Sequence, residues 1–295
     1  MPGADNDPAP DGAGSGANKT PAPAGRSREL VLRIVSSLVI LPPVILMFWL
    51  GDFYFLALVA VLAAAMAWEW CSLVAPDSGS TVSRLTALVA ALLVGAAAIA
   101  FWQPAALLAL GGLPLIYVLV VRTLSGAWRL RLLPGLLVAF CPAIAIYWVR
   151  QMPEAGLETA LWLAFSVVIT DIAAYVAGRT IGGPKIWRRV SPNKTWAGLV
   201  GGMAGSAGFG AGIAVYLEQA PIIVALAGAV IAVVAQAGDF AESALKRYLD
   251  VKDSGHLIPG HGGIFDRVDG QITVLPLAAA LMLLTGKSIL LWSWF

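Results

Sequence analysis

Charged residues are scarce in this chain. They make up 12% of its 295 residues, whereas 59% of the residues are hydrophobic. A typical soluble domain carries about 25% charged residues. A water-soluble fold of this length could not cover so much apolar surface. The composition therefore excludes an ordinary soluble enzyme and predicts a protein embedded in a bilayer.

Cysteine and histidine are almost absent. The two cysteines, Cys71 and Cys141, lie in or beside apolar stretches, so we expect small buried side chains and no disulfide. Only two histidines are present, His256 and His261, and no cysteine lies near either of them. The sequence therefore disfavours a zinc site.

Long apolar runs make up most of the chain. Because a membrane-spanning helix needs about 20 apolar residues, they predict an all-α polytopic integral membrane protein with about nine transmembrane helices. The expected spans are 34–51, 53–76, two within 85–121, 132–149, 157–178, 195–217, 219–238 and 270–295. Residues 1–29 predict a disordered tail, residues 30–150 an N-terminal group of helices, and residues 151–295 a catalytic region.

Basic residues are distributed unevenly between the loops. If the N-terminus is inside and the C-terminus outside, the Lys- and Arg-rich loops all fall on the inner side, and Arg150 is the one basic residue expected outside. Cytoplasmic loops of membrane proteins carry this excess of positive charge. We therefore expect a multi-pass protein of the inner (cell) membrane whose polar cleft faces the cytoplasm.

The segment 179–195 is basic and contains no acidic residue. Gly182 and Gly183 expose backbone N–H groups, and a helix that begins after this segment would favour an anion at its N-terminus. Phosphate binding is therefore predicted for Lys185, Ser191, Asn193, Lys194 and Thr195. The alternative is an ordinary positive loop that touches anionic lipid headgroups.

The segment 239–269, interpreted as a second loop, holds an unusual mixture of charges. It contains Asp239, Glu242, Lys246, Arg247, Asp250, Lys252, Asp253, Asp266, Arg267 and Asp269, together with both histidines and the flexible pair Gly262 and Gly263. Asp239 and Asp266 are expected to meet at the mouths of neighbouring helices. Facing carboxylates suit Mg²⁺, which takes one or two carboxylates plus substrate phosphates. The alternative is that these acids only pair with nearby Lys and Arg.

Two acidic residues lie inside predicted spans. Asp171 lies below the same mouth, and an ionisable residue within a membrane is by default a functional hypothesis. Glu69 lies near the inner end of its span between Trp68 and Trp70, which predicts interfacial anchoring. Small residues of the seventh span, from Gly201 to Gly212, predict close helix packing.

These residues resemble the phosphatidate cytidylyltransferase (CDP-diacylglycerol synthase) family. The resemblance is strongest over 243–269, which includes Lys246-Arg247, Lys252-Asp253, His261-Gly262-Gly263, Asp266-Arg267 and Asp269 with the family's spacing. Gln236-Ala-Gly-Asp239, the run from Asp171 to Arg179, and Ser191 to Trp196 are also similar. Ala197 departs from the family, which usually has Glu at this position, and we assign it no role.

The resemblance implies that the phosphate of phosphatidic acid attacks the α-phosphorus of CTP and that pyrophosphate leaves. It also implies Mg²⁺, a second, monovalent cation such as K⁺, and a homodimer in the bilayer, with no nucleic-acid partner. We assign the metal to Asp239 and Asp266, with Asp269 and Asp171 as weaker candidates. Charge neutralisation is assigned to Lys246, Arg247, Lys252 and Arg267, and phosphate contacts to His261, Gly262 and Gly263.

Two other classes of protein fit the sequence less well. A transporter or channel would use Asp171 as part of a pathway, but transport sites lie near the bilayer midplane, whereas these charges collect at one face. A CDP-alcohol phosphotransferase also uses clustered aspartates. Here, however, Pro259 and the His-Gly-Gly segment interrupt the acidic run.

Overall fold

The structure, a computed structural model, describes residues 23–75, 79–100, 117, 119, 129–255, 257 and 262–292. Helices make up most of this part of the chain. In chain order the elements are α1 (Pro23–Leu50), α2 (Asp52–Val74), α3 (Gly79–Ala100), α4 (Arg129–Arg150), α5 (Gly156–Thr180), β1 (Lys185–Trp187), β2 (Ser191–Thr195), α6 (Trp196–Tyr216), α7 (Pro221–Tyr248), α8 (Phe265–Thr285) and a 3₁₀ turn (Ile289–Leu291).

The described helices are those of a polytopic membrane protein. Six of them, α2, α3, α5, α6, α7 and α8, are long and apolar enough to cross a membrane. Helices α1 and α4 contain shorter apolar stretches, Leu38–Leu50 and Pro134–Arg150. The mostly helical membrane fold is thus confirmed. The count of nine stays a prediction, because the second helix expected within 85–121 falls mostly outside the described residues.

The N-terminal and C-terminal helices pack against each other. Helix α4 contacts both α2 and α8, and α2 also touches α8. Helix α1 begins at Pro23, inside the segment expected to be a tail, and residues 1–22 lie outside the described part. The helices of 30–150 therefore form one wall of the bundle that carries the polar residues.

Small residues allow α5 and α6 to approach closely. A Cβ added to Gly201 would lie 2.2 Å from the Ala177 Cβ, and one added to Gly205 would lie 2.6 Å from the Ala173 Cβ. Small residues in membrane helices permit such backbone approach, so the packing prediction is confirmed at these two positions. A Cβ added to Gly208 or Gly212 would have no other atom within 4 Å.

The segment 239–269 is not one loop, and that part of the prediction was wrong. Helix α7 continues to Tyr248, well past the apolar run expected to end at 238, and α8 already begins at Phe265. The apolar run marks where the chain can contact lipid, whereas a helix can continue into a polar environment. Most of the charged side chains of this segment therefore have the fixed spacing of helix turns, and the described loop residues between the two helices are 249–255, 257 and 262–264.

Candidate active site

The segment predicted to bind anions forms a β-hairpin between α5 and α6. Gly182 and Gly183 have φ of 70° and 99° and turn the chain from α5 into β1. Backbone with positive φ favours glycine because it has no Cβ. Strands β1 and β2 pair antiparallel, and the Lys185 Nζ donates a hydrogen bond to the Asn193 carbonyl oxygen at 3.2 Å. The hairpin is a small addition to the predicted all-α fold.

Thr195 joins the hairpin to α6. Its hydroxyl oxygen accepts a hydrogen bond from the Gly198 N–H at 3.0 Å and so caps the helix. A Cβ on Gly178 of α5 would lie 3.0 Å from the same hydroxyl oxygen, so the two helix ends nearly touch. Thr195 thus stands at the N-terminus of α6, as expected for a helix that begins after this segment, whereas Ser191 lies at the start of β2.

Lys194 reaches from the hairpin to α7. Its Nζ lies 2.6 Å from the Asp239 Oδ2, and the two side chains are only 21% and 15% exposed. The same Nζ lies 4.6 Å from the centre of the Phe240 ring. Asp171 of α5 is close enough to interact electrostatically with both Lys194 and Asp239. Three separate elements thus bring two acids and one base together.

Asp239 also meets Asp269, one turn into α8, and the two carboxyl groups lie close enough to interact electrostatically. This contact depends on the small residue before Asp239. A Cβ on Gly238 would lie 2.5 Å from the Thr273 hydroxyl oxygen and 2.6 Å from the Asp269 carbonyl oxygen, so α7 and α8 meet backbone to backbone. Two carboxyl groups in contact require a shared proton or a cation, since like charges repel.

A cavity of about 520 Å³ opens beside Lys194. Ligand pockets are typically about 300–1,000 Å³, so this one has the size for a nucleotide or a lipid headgroup. Its lining combines bases and polar groups of the hairpin and the end of α5 with carboxylates of α5 and α7. The charged and amide side chains that line it are Asp171, Arg179, Lys185, Asn193, Lys194, Gln236 and Asp239.

A second charged cluster surrounds Asp266 in the first turn of α8. The Lys246 Nζ lies 3.0 Å from the Asp266 Oδ1 and 2.8 Å from the Glu242 Oε1. The Ser254 N–H donates to both Asp266 oxygens at 3.1 Å, and the Gly263 N–H donates to Oδ2 at 3.1 Å. Asp266 therefore ties the end of α7 and two points of the following loop, Ser254 and Gly263, to α8.

Glu69 of α2 supports the start of α8, and the prediction that it anchors the protein at an interface was wrong. Its side chain is buried, and its two carboxylate oxygens accept hydrogen bonds from the N–H groups of Ile264 and Phe265 at 2.9 and 2.8 Å. The adjacent tryptophans suggested the interface. The usable signal was the rarity of an acid within an apolar span.

The structure distributes the predicted metal ligands between the two clusters. Asp239, Asp269 and Asp171 lie together, whereas Asp266 lies with Lys246 and Glu242. Within the described ranges, no three Asp, Glu, His or Cys side chains form a complete metal cage. Mg²⁺ usually takes one or two carboxylates and completes its shell with water and substrate phosphates, so the Asp239 and Asp269 contact fits such an ion.

The remaining predicted residues lie around the second cluster. Arg247, Lys252 and Arg267 have exposed side chains at the end of α7, in the loop and at the start of α8. Gly262 has a φ of 86°, which a residue with a Cβ rarely adopts. His261 lies outside the described residues, so its assignment stays a prediction.

Comparison with known proteins matches this sequence to a family. The cytidylyltransferase family model matches residues 31–285. The phosphatidate cytidylyltransferase of Brucella suis is 36% identical over 263 residues, which cover 88% of this chain and 93% of that protein. The protein of the same name from Pseudomonas aeruginosa is 34% identical over 273 residues, which cover 86% and 97% respectively. The chain therefore belongs to the cytidylyltransferase family.

Proposed function

We propose that this protein is a phosphatidate cytidylyltransferase, which makes CDP-diacylglycerol and pyrophosphate from CTP and phosphatidic acid. Its relatives carry that name over most of the chain. The observation that supports it most directly is the cavity where Lys194 meets Asp239, at the ends of apolar helices. A lipid substrate can keep its acyl chains in the bilayer there while its phosphate enters a polar site.

The reaction requires two anions to meet. A phosphate oxygen of phosphatidate attacks the α-phosphorus of CTP, a new P–O bond forms, and the bond to the β-phosphate oxygen breaks with release of pyrophosphate. A phosphomonoester is already largely ionised near neutral pH, because its second pKa is about 6. The protein therefore needs no strong base, and positioning and charge stabilisation supply most of the catalysis.

The basic residues of the hairpin serve the phosphates. Lys194, Lys185 and Arg179 face one cavity, and together they can offset the negative charge of a triphosphate. Lys194 has a defined partner in Asp239, so its ammonium group is held in place before substrate binds. The exposed Arg247, Lys252 and Arg267 are proposed to neutralise the phosphates at the edge of the site.

The acidic residues serve a divalent cation. Asp239 and Asp269, with Asp171 beside them, would hold Mg²⁺. A bound cation would explain why two carboxyl groups lie so close together. The ion would supply charge neutralisation on the phosphates. The predicted pairing of Asp239 with Asp266 stays a prediction, since Asp266 already accepts hydrogen bonds from Lys246 and two backbone N–H groups.

The location follows from the distribution of charge. The basic hairpin, the end of α7 and the start of α8 lie at one end of the bundle. We propose that this end faces the cytoplasm, where CTP is found, at the inner (cell) membrane. An N-terminus inside and a C-terminus outside are part of the same proposal. A homodimer and a second, monovalent cation such as K⁺ stay predictions based on the family resemblance.

Conversion of radiolabelled CTP tests the proposal. Purified protein with CTP, Mg²⁺ and phosphatidic acid should form a labelled lipid, and addition of EDTA should stop its formation. The matched control replaces phosphatidic acid with diacylglycerol, which lacks the attacking phosphate and should give no labelled lipid. An inactive, folded protein, or activity that does not depend on phosphatidic acid, would refute the proposed reaction.

A further inference from the structure

Glu69 is far from the catalytic residues in sequence, yet its carboxylate accepts hydrogen bonds at the start of α8. The Ile264 and Phe265 N–H groups each donate to one of its oxygens, and the side chain is only 3% exposed. We propose that Glu69 is a positioning residue for cytidylyl transfer. It holds the first turn of α8, and through that turn it holds Asp266. This inference rests on the proposed function.

The N-terminus of α8 explains why an acid is needed there. The first N–H groups of a helix have no partner within the helix, and the aligned peptide dipoles leave a partial positive charge at this end. A carboxylate satisfies two of these donors at once and matches their charge. Because Glu69 occupies this helix end, substrate phosphate is left to the hairpin side of the site.

Two glycines of the loop between α7 and α8 lie beside the same carboxylate. A Cβ on Gly255 would lie 2.9 Å from the Glu69 Oε1, and one on Gly263 would lie 2.7 Å from the Glu69 Oε2. Asp266 accepts hydrogen bonds from the same backbone, namely from the N–H of Ser254, which precedes Gly255, and from the N–H of Gly263. Glu69 and Asp266 thus both contact the backbone at 254–255 and 263–265.

The fixed start of α8 also sets the position of Asp269. Asp266 and Asp269 are about one turn apart on this helix, so a rotation of its first turn moves both carboxylates. The Trp70 and Phe265 rings pack with their centres 5.9 Å apart and add an apolar contact between α2 and α8. A displacement of about 1 Å in a catalytic group can cost about a hundredfold in rate.

A double-mutant cycle tests the inference. Glu69→Gln should lower kcat/KM for CTP by about 10- to 100-fold, which is the usual effect of losing a partner that orients a metal or phosphate site. Because part of the effect of Glu69 passes through Asp266, Glu69→Gln should lower kcat/KM by a smaller factor in the Asp266→Asn background than in the wild type. Glu158→Gln, an exposed acid in the first turn of α5, is the matched control and should leave turnover unchanged.

Two outcomes would overturn the inference. In the first, the two single-variant losses in kcat/KM multiply in the double variant, as expected for independent effects. In the second, Glu69→Gln keeps wild-type turnover per folded molecule and only its Tm falls. If Glu69→Gln does not fold, Glu69→Asp takes its place in the cycle. Wild-type activity is measured alongside, so failure of the proposed reaction is seen separately from failure of the role of Glu69.

A glycine pair gives a second, independent test. Gly255→Ala places a methyl group against the Glu69 carboxylate and should lower kcat/KM in the wild-type background but have no further effect in Glu69→Ala. Gly95→Ala is its control, since nothing lies within 4 Å of the added carbon. Equal losses from Gly255→Ala in both backgrounds would show that the loop does not act through Glu69.

Discussion

Replacement of Lys194 by Met removes the one base that contacts Asp239 directly in the described structure. The charges lie 2.6 Å apart, which corresponds to about 6 kcal/mol of attraction at an effective dielectric constant of about 20. Desolvation of two mostly buried groups offsets much of this. The Lys194→Met variant loses charge stabilisation at the transferring phosphate. One well-placed donor contributes about 2.7–4 kcal/mol to such stabilisation. We therefore expect kcat/KM to fall by about 10²- to 10³-fold.

The assay is steady-state formation of labelled CDP-diacylglycerol in detergent micelles, with Tm measured on each protein. Lys194→Arg keeps the charge but changes its geometry, so it should recover part of the activity. Lys287→Met removes an exposed base near the end of α8, away from the cavity, and should have no effect. Turnover of Lys194→Met within about threefold of wild type, with normal Tm, would refute the assignment of Lys194 to substrate phosphate.

Two further predictions concern helix packing and topology. Gly238→Ala adds a carbon 2.5 Å from the Thr273 hydroxyl oxygen and 2.6 Å from a backbone carbonyl oxygen of α8. It should therefore destabilise the protein by about 1–3 kcal/mol and lower its activity, as measured by Tm and turnover. A Tm equal to that of Gly95→Ala would contradict this packing. The topology is tested with a cysteine at Ile186 in the hairpin, in a background without Cys71 and Cys141. This cysteine should react with a membrane-impermeant thiol reagent only from the cytoplasmic side. Labelling from the other side would overturn the proposed topology.

The sequence predicted the fold where hydrophobicity alone decides it. Uncharged runs identified the apolar helices and placed Asp171 and Asp239 near one mouth, but they did not indicate that Lys194 contacts Asp239. Hydrophobicity could not show that α7 continues to Tyr248, because those turns are polar. That continuation puts Glu242 and Lys246 beside Asp266, and the close approach at Gly238 brings Asp269 to Asp239.

Contacts between distant parts of the chain were not predictable. Glu69 meets Ile264 across 195 positions, and no local pattern indicates which helix end a buried acid will cap. The hairpin 185–195 was also missed, since its strands are short and polar and lack the alternation that indicates a strand. Both features depend on tertiary packing: one helix lies against the N-terminus of another, and a loop crosses two helix ends.

Asp239 provides the most direct test of the site, because it contacts both Lys194 and Asp269. The decisive measurement is CDP-diacylglycerol formation by Asp239→Asn across a Mg²⁺ titration, beside wild type and Lys194→Met. We predict that Asp239→Asn loses about 10²- to 10³-fold in kcat and needs more Mg²⁺ for half-maximal activity, while Lys194→Met loses activity without that shift. Near-normal turnover of folded Asp239→Asn with an unchanged Mg²⁺ requirement would contradict the proposed active site.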